Sequence, residues 1–314
     1  MAVDIKEVAA GIFQIDDEVC SLPEMGAVYL LVGERKALVD SGPPNSASTI
    51  IEGIRRVGVE PDEIDYIIAT HIHLDHAGGV GTLLESMPKA RVVVHQRGAR
   101  HLAQMEKLVA SARSAQGDGI IDQYGKVVPV TPECIWAVAD GDKVSLSDNQ
   151  VLEIIDAPGH APHEICIRES RSGGIFTGDA LGLYLGDATH RVMLQIHPPP
   201  SLDLEACLET VARVKKAGPE HLYFAHFGIA DKAGEVIEKA TRQLRAYLEL
   251  AENAVANDHV EGLAETLSAL MVAELEMLGG KPDLYQFVRD NLVPPFIEGF
   301  LDYCRKKQKS IAIG

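Results

Sequence analysis

The sequence predicts an α/β fold, sheets covered by helices, followed by a helical extension. Three observations predict it. Short β-rich runs alternate with turns and helical segments up to about residue 228. From Asp231 onward, apolar residues recur at helical spacing almost throughout. The 314 residues, 46% hydrophobic and 24% charged, are enough to bury a large core. These divide the chain into residues 1–229, a mixed domain that carries the chemistry, and residues 230–314, the extension.

Strands are expected at 11–15, 27–32, 37–40, 66–69, 91–94, 151–155, 164–167, 174–177 and 222–225. Val, Ile, Leu and Tyr dominate these runs, and Gly, Pro, Asp or Asn bound many of them. Helices are expected between them at 46–57, 79–86, 98–112 and 203–216, and strands mixed with helices imply covered sheets. In the extension, Val236, Ile237, Ala240, Leu244, Leu248 and Ala251 form one apolar stripe. Leu263, Leu267, Leu270, Met271 and Leu275 form a second, and 284–304 is a third helix after the Gly279, Gly280 and Pro282 break. The basic tail Arg305, Lys306, Lys307 and Lys309 reads as a solvated helix C-terminus with cations near the negative dipole end.

Net charge is −17, from 29 basic and 46 acidic side chains. A field of that sign repels phosphate backbones and anionic lipid, so neither nucleic acid nor a membrane is an expected partner. The five cysteines are scattered, with no C-x-x-C pair, which fits a reducing compartment rather than a disulfide framework. The first residues carry acids where a secretion signal needs bases and a long apolar run. No stretch reaches the roughly 18 apolar residues of a membrane span. A cytoplasmic location is therefore expected. The amphipathic segment 233–251 packs on its own domain or on a second copy, which makes a homodimer the expected assembly.

The chemistry concentrates in Thr70-His71-Ile72-His73-Leu74-Asp75-His76-Ala77-Gly78-Gly79, entered from the apolar run Tyr66–Ala69. Burying three imidazoles and a carboxylate in so short a stretch is costly unless a ligand compensates. Nitrogen and carboxylate donors of this kind suit zinc, iron or manganese. At a strand end, residues two apart point the same way, so His71 and His73 converge while the following turn brings Asp75 and His76 to a neighbouring point. Three further donors each follow a β run: His160 in Ala157-Pro158-Gly159-His160, Asp179 in Phe176-Thr177-Gly178-Asp179, and His226 in Tyr223-Phe224-Ala225-His226. Each taken alone reads equally well as a hydrogen-bonded turn residue. Loops at one edge of a sheet sandwich can collect them all.

Over about residues 8–228 the chain resembles the metallo-β-lactamase-fold hydrolases, whose H-x-H-x-D-H motif is His71, His73, Asp75 and His76 here. The later family donors match His160, Asp179 and His226. The resemblance implies a four-layer αβ/βα sandwich and two divalent metal ions, zinc first and iron or manganese as alternatives. His71, His73 and His160 would hold one ion; Asp75, His76 and His226 the other, with Asp179 bridging. It also implies that Asp40 orients a ligand imidazole, and that Asp75 and Asp179 are catalytic as well as liganding. In general placement only, the extension resembles the C-terminal helices of glyoxalase II and of some quinolone-signal thioesterases.

The expected activity is hydrolysis of an ester, thioester or lactone of a small molecule by metal-activated hydroxide. Tyr184, five residues past Asp179, is the candidate for assisting an oxyanion, as in the family's lactonases. His197, on a proline-rich loop, is a candidate for the entrance. His163 competes with His160 for the ligand role, and the strand-end position favours His160. His95 and His101 read as helix-cap or surface histidines. Alternative readings within the same family are a phosphodiesterase or nuclease, an iron-dependent redox protein, and a non-catalytic binding protein. The acidic charge and the lack of a basic, aromatic-interleaved patch argue against a nuclease. Histidine at position 73 and the absence of a flavodoxin-like segment argue against the redox form. The lack of a secretion signal argues against β-lactam cleavage.

Overall fold

Alternating β-branched runs assemble a first sheet from seven strands in chain order: β1 (Ile5–Ala9), β2 (Ile12–Asp16), β3 (Ala27–Leu31), β4 (Lys36–Val39), β5 (Ile64–Ile68), β6 (Arg91–His95) and β7 (Ile135–Val138). The computed structural model describes residues 3–187, 189–195 and 201–313. The first four strands pair antiparallel and the last four parallel. Parallel neighbours need crossovers. Helix α1 (Ala47–Arg56) supplies the first, α2 (Leu74–Ala77) and α3 (Val80–Leu84) the second, and α4 (Gln96–Ala103), α5 (Glu106–Gln116) and α6 (Asp118–Tyr124) the third.

The second sheet contains β8 (Lys143–Ser147), β9 (Gln150–Asp156), β10 (Ile165–Glu169) and β11 (Ile175–Phe176). A small hairpin, β12 (Leu183–Leu185) and β13 (Val192–Leu194), and helix α7 (Leu204–Ala217) intervene before β14 (Leu222–Tyr223) and β15 (Ile229–Ala230) complete it. The order is β15-β14-β11-β10-β9-β8, antiparallel except for β11 beside β14.

Strand β3 shows why the sheets stack. All five of its residues are buried. Ala27, Tyr29 and Leu31 face a layer with Ile154, Ile165, Ile167 and Phe176 of the second sheet. Val28 and Leu30 face the helices. A strand buried on both faces reads as a continuous apolar run, as this one does. The result is the sandwich that the sequence predicts, with mixed sheets between helical layers.

The extension is α8 (Ala233–Ala256), α9 (Leu263–Leu275), α10 (Pro282–Asn291) and α11 (Val293–Ile313). Helix α8 packs on α7 and α11. Ile237, Leu244, Met271, Phe296 and Phe300 join the helix-side core of the sandwich.

Two expected helices are each broken in two. Residues 98–112 bend at Gln104, whose backbone (φ −133°, ψ 76°) is not helical; α4 lies against β6 and β7, whereas α5 buries none of its residues fully. Residues 284–304 break at Leu292, just before Pro294 and Pro295. Prolines lack the N–H that a continuing helix needs and are tolerated in a first turn, so α11 starts there. Strands β1, β7, β8, β12, β13 and β15 and helix α6 were not among the expected elements.

Candidate metal centre

Every predicted donor follows the end of a strand or the turn behind it. After β5, Ala69 N–H still donates to Val93 O, and Thr70 N–H turns to Asp40 Oδ1 (2.8 Å). His71 and His73 follow, and His73 opens the one-turn helix α2 that carries Asp75 and His76. The turn must run close to the β4–α1 loop: a Cβ on Gly79 would meet the carbonyl oxygens of Ser41, Gly42 and Pro43 at 2.6–3.1 Å. Glycine alone permits that approach. On the second sheet, Gly178 takes a left-handed backbone (φ 52°) beside Thr70 and Glu164, and this turns Asp179 inward.

The seven donors meet. His73 Nδ1 lies 2.9 Å from both His71 Nε2 and His160 Nε2, and His76 Nε2 lies 3.2 Å from His226 Nε2. Asp75 Oδ2 is 3.6 Å from His76 and 3.5 Å from His226. Asp179 stands between the groups: its Oδ2 is 3.5 Å from His160 Nε2 and 3.6 Å from His76 Nε2, and its Oδ1 is 3.6 Å from His226 Nε2. Three sets have donor atoms within 4.8 Å of one another: His71, His73 and His160; His71, His76 and Asp179; Asp75, His76 and His226.

Hydrogen bonds behind the rings aim them. His76 Nδ1 donates to Asp40 Oδ2 (3.1 Å) and His226 Nδ1 to the Met25 carbonyl (3.0 Å). His71 Nδ1 donates to Thr70 Oγ1 (3.2 Å), which donates in turn to Asp40. Each leaves Nε2 with a lone pair facing the others. Lone pairs so placed repel unless a proton or cation lies between them, and one proton serves one pair only. Asp179 Oδ1 is buried without a hydrogen bond. The donor set therefore fits a pair of divalent ions of the zinc, iron or manganese kind.

The electrostatics divide the site. Burial, then the neighbouring imidazoles, hold His71 well below its ordinary pKa and bring His73 to about 3, so these rings are neutral and ready to ligate. At His76 and His226 burial acts in the same direction, but Asp179 and Asp75 outweigh it and raise both. Asp75 is held low by His76 and His226 against the effect of its burial.

Asp40 stands where the resemblance implied, in a left-handed backbone (φ 63°). His163 is not among the donors. Its ring lies behind His71 and His73, at centroid distances of 6.4 and 6.0 Å, and His160 takes the converging position. His95 accepts from Arg97 N–H at the start of α4, as a cap does. His197 lies outside the described residues.

Tyr184 requires correction. Leu183 lines the space over the donors, and alternation along β12 sends Tyr184 to the opposite face. There it stacks on Phe224 (4.7 Å), lies under the Arg191 guanidinium (4.5 Å), and lines a separate groove of about 620 Å³ with Arg242. The buried tyrosine that shares the electrostatic neighbourhood of Asp75 and Asp179 is Tyr124, on the unpredicted helix α6.

The sequence reading also missed Glu164, which accepts the Asp179 N–H (2.7 Å) and is pushed well above its ordinary pKa by burial and by Asp179. It missed Asp17, buried and raised to about 8 by burial and Asp16. The only sequence signal for either was an acid beside a buried strand or turn. Gln116, Asn291, Leu292 and Pro295 cover the donors and were missed as well.

The metallo-beta-lactamase superfamily model matches residues 22–226. A metallo-beta-lactamase fold-containing protein of Sulfurisphaera tokodaii, ST1585, is 26% identical over 247 residues, covering 77% of this chain and 87% of that protein. Its crystal structure superposes with a TM-score of 0.63 over 74% of this chain and 85% of that one. An N-acyl homoserine lactonase of a Bacillus species is 26% identical over 227 residues, 64% of this chain and 79% of that enzyme. The metallo-beta-lactamase family protein TTHA1429 of Thermus thermophilus, at 18% identity, shares the fold over 96% of this chain and 95% of its own, with a TM-score of 0.63. With its sandwich, its clustered donors and a family match across most of its length, this chain belongs to the metallo-beta-lactamase superfamily.

Proposed function

We propose that the protein is a dinuclear metal-dependent hydrolase that cleaves an ester, thioester or lactone bond of a small molecule. One observation carries this reading: seven histidine and aspartate side chains from four separate turns converge with their nitrogen and oxygen donor atoms facing one another. His71, His73 and His160 would hold one ion and Asp75, His76 and His226 the other, with Asp179 between them. When bound, such a pair supplies hydroxide near neutral pH and polarises a carbonyl.

The chain's own residues do the rest. Asp40 and the Met25 carbonyl fix the tautomers of His76 and His226, so both keep Nε2 turned inward. Asp75, held anionic by the two imidazoles beside it, would be a charged ligand of the second ion and a hydrogen-bond acceptor for a water there. Glu164 holds the Asp179 backbone and so the direction of its carboxylate. The lining of Leu183, Leu292 and Pro295 limits water around the reacting group.

The kinship with an N-acyl homoserine lactonase supports placing lactones among the substrates. The test is parallel assay of one metal-loaded preparation on carboxylic ester, thioester, lactone and phosphodiester substrates. Turnover of a carboxyl substrate, abolished by Asp75→Ala, is expected. Faster turnover of the phosphodiester would give the site to a phosphodiesterase instead.

A further inference from the structure

The space directly over the donors is about 30 Å³, room for one or two waters. Two carboxamides reach it from elements outside the sheets. Gln116 is the last residue of α5, a helix that buries none of its residues fully, and Gly117 (φ 85°) ends the helix there. Gln116 Oε1 is nevertheless buried and has no hydrogen bond. Asn291 is the last residue of α10, and its amide donates back to the Phe287 carbonyl (3.0 Å). Buried amide oxygens are ordinarily bonded, and an orphan on a residue that lines a cavity points to a ligand. No Lys or Arg lines this cavity among the described residues.

We propose that Gln116 and Asn291 form a neutral amide clamp over the metal centre, which binds the polar atoms of an uncharged substrate and makes the enzyme selective for small neutral esters or lactones over carboxylate-bearing ones. This rests on the hydrolase reading above. An amide can donate to a carbonyl oxygen and accept from a hydroxyl or N–H, so it suits neutral acyl groups. The amides offer no counter-charge to an anion, so what attracts a carboxylate comes from the ions held beneath and not from the clamp, and the net charge of −17 opposes its approach. The space is too small for an acyl chain, so the clamp would contact only the polar atoms next to the reacting carbonyl.

The test uses the full-length metal-loaded protein, with 4-nitrophenyl acetate as neutral ester and mono-4-nitrophenyl succinate as anionic ester. The wild type is expected to prefer the neutral ester at least about ten-fold in kcat/KM. Gln116→Leu and Asn291→Leu are each expected to raise KM for the neutral ester about three- to ten-fold, the value of one neutral hydrogen bond, with smaller changes in kcat. Metal content measured on the same preparations is expected to stay at the wild-type level, which separates loss of the clamp from loss of the site. Gln116→Arg, a second variant at the end of α5, is expected to narrow or reverse the preference. If the wild type hydrolyses the anionic ester as well as the neutral one, or if KM is unmoved in both leucine variants, the clamp is wrong and the hydrolase reading stands. If the metal-loaded wild type turns over no carbonyl substrate, the hydrolase reading is wrong, and the clamp's substrate class with it.

Discussion

Asp40 shows how much of the site depends on single residues that touch no substrate. It holds a backbone conformation uncommon for a non-glycine residue (φ 63°) while its carboxylate takes bonds from Thr70 N–H, Thr70 Oγ1 and His76 Nδ1. Removing it leaves His76 free to rotate and Thr70 without its acceptor. Asp40→Ala is expected to weaken metal binding by about 10- to 100-fold, measured by competition with a chromogenic chelator; unchanged affinity would show that His76 is aimed by something else.

Asp16, outside the metal centre, makes the stability of the fold depend on pH. Burial raises the Asp16 carboxyl to about 6, against the pull of the Glu18 and Glu24 N–H groups that it accepts. The fold thus holds a proton that the unfolded chain releases near pH 4. The stability tied to Asp16 is full below about pH 4 and is lost as pH rises through about 6, a difference of at most about 3 kcal/mol. Urea titrations of wild type and Asp16→Asn from pH 4 to 7 are expected to show the variant gaining on the wild type with rising pH; parallel curves would contradict this.

The seven candidate donors were legible because each follows an apolar β run or the turn behind it, and sequence shows where such a run stops. What sequence does not show is which face a short strand presents, and the Tyr184 expectation failed on that point. Glu164 was illegible for a related reason: an acid at the start of a strand looks like any polar boundary until Gly178 turns the Asp179 N–H onto it.

At the scale of elements, the apolar spacing in the extension identified real helices, and the breaks within them were less visible. The Leu292 break had a sequence signal in Pro294-Pro295, and it brings Asn291, Leu292 and Pro295 over the donors. The Gln104 break had none, because neither Gly nor Pro stands at residues 104–105 to announce the non-helical backbone there. The two-residue strand β15, which was not expected, exists through its pairing with β14 rather than through local propensity. Helix α8 is bound to the sandwich through fully buried side chains, Leu244 among them. Leu244→Ala is expected to cost about 2–5 kcal/mol in chemical denaturation. A cost below about 1 kcal/mol would mean that the extension is only loosely docked.

For the whole molecule, the two sheets act as a frame whose strand ends bring residues from His71 to His226 to one edge. No helix among the described residues is long and apolar enough to cross a membrane. Packing so many titratable side chains together is unfavourable without a cation, so bound metal should stabilise the fold. At a thousand-fold excess over Kd, metal that binds only the folded state adds about 4 kcal/mol, and chelation is expected to lower Tm by several degrees. A Tm indifferent to chelator and to added zinc, iron or manganese would argue against a folded-state metal site.

A crystal structure of the metal-loaded protein, with anomalous data collected at the zinc, iron and manganese edges, decides whether the seven side chains hold two ions. Two peaks are expected, one among His71, His73 and His160 and one among Asp75, His76 and His226, both within reach of Asp179. No anomalous peak in this cluster, or ions bound only elsewhere, would contradict the account.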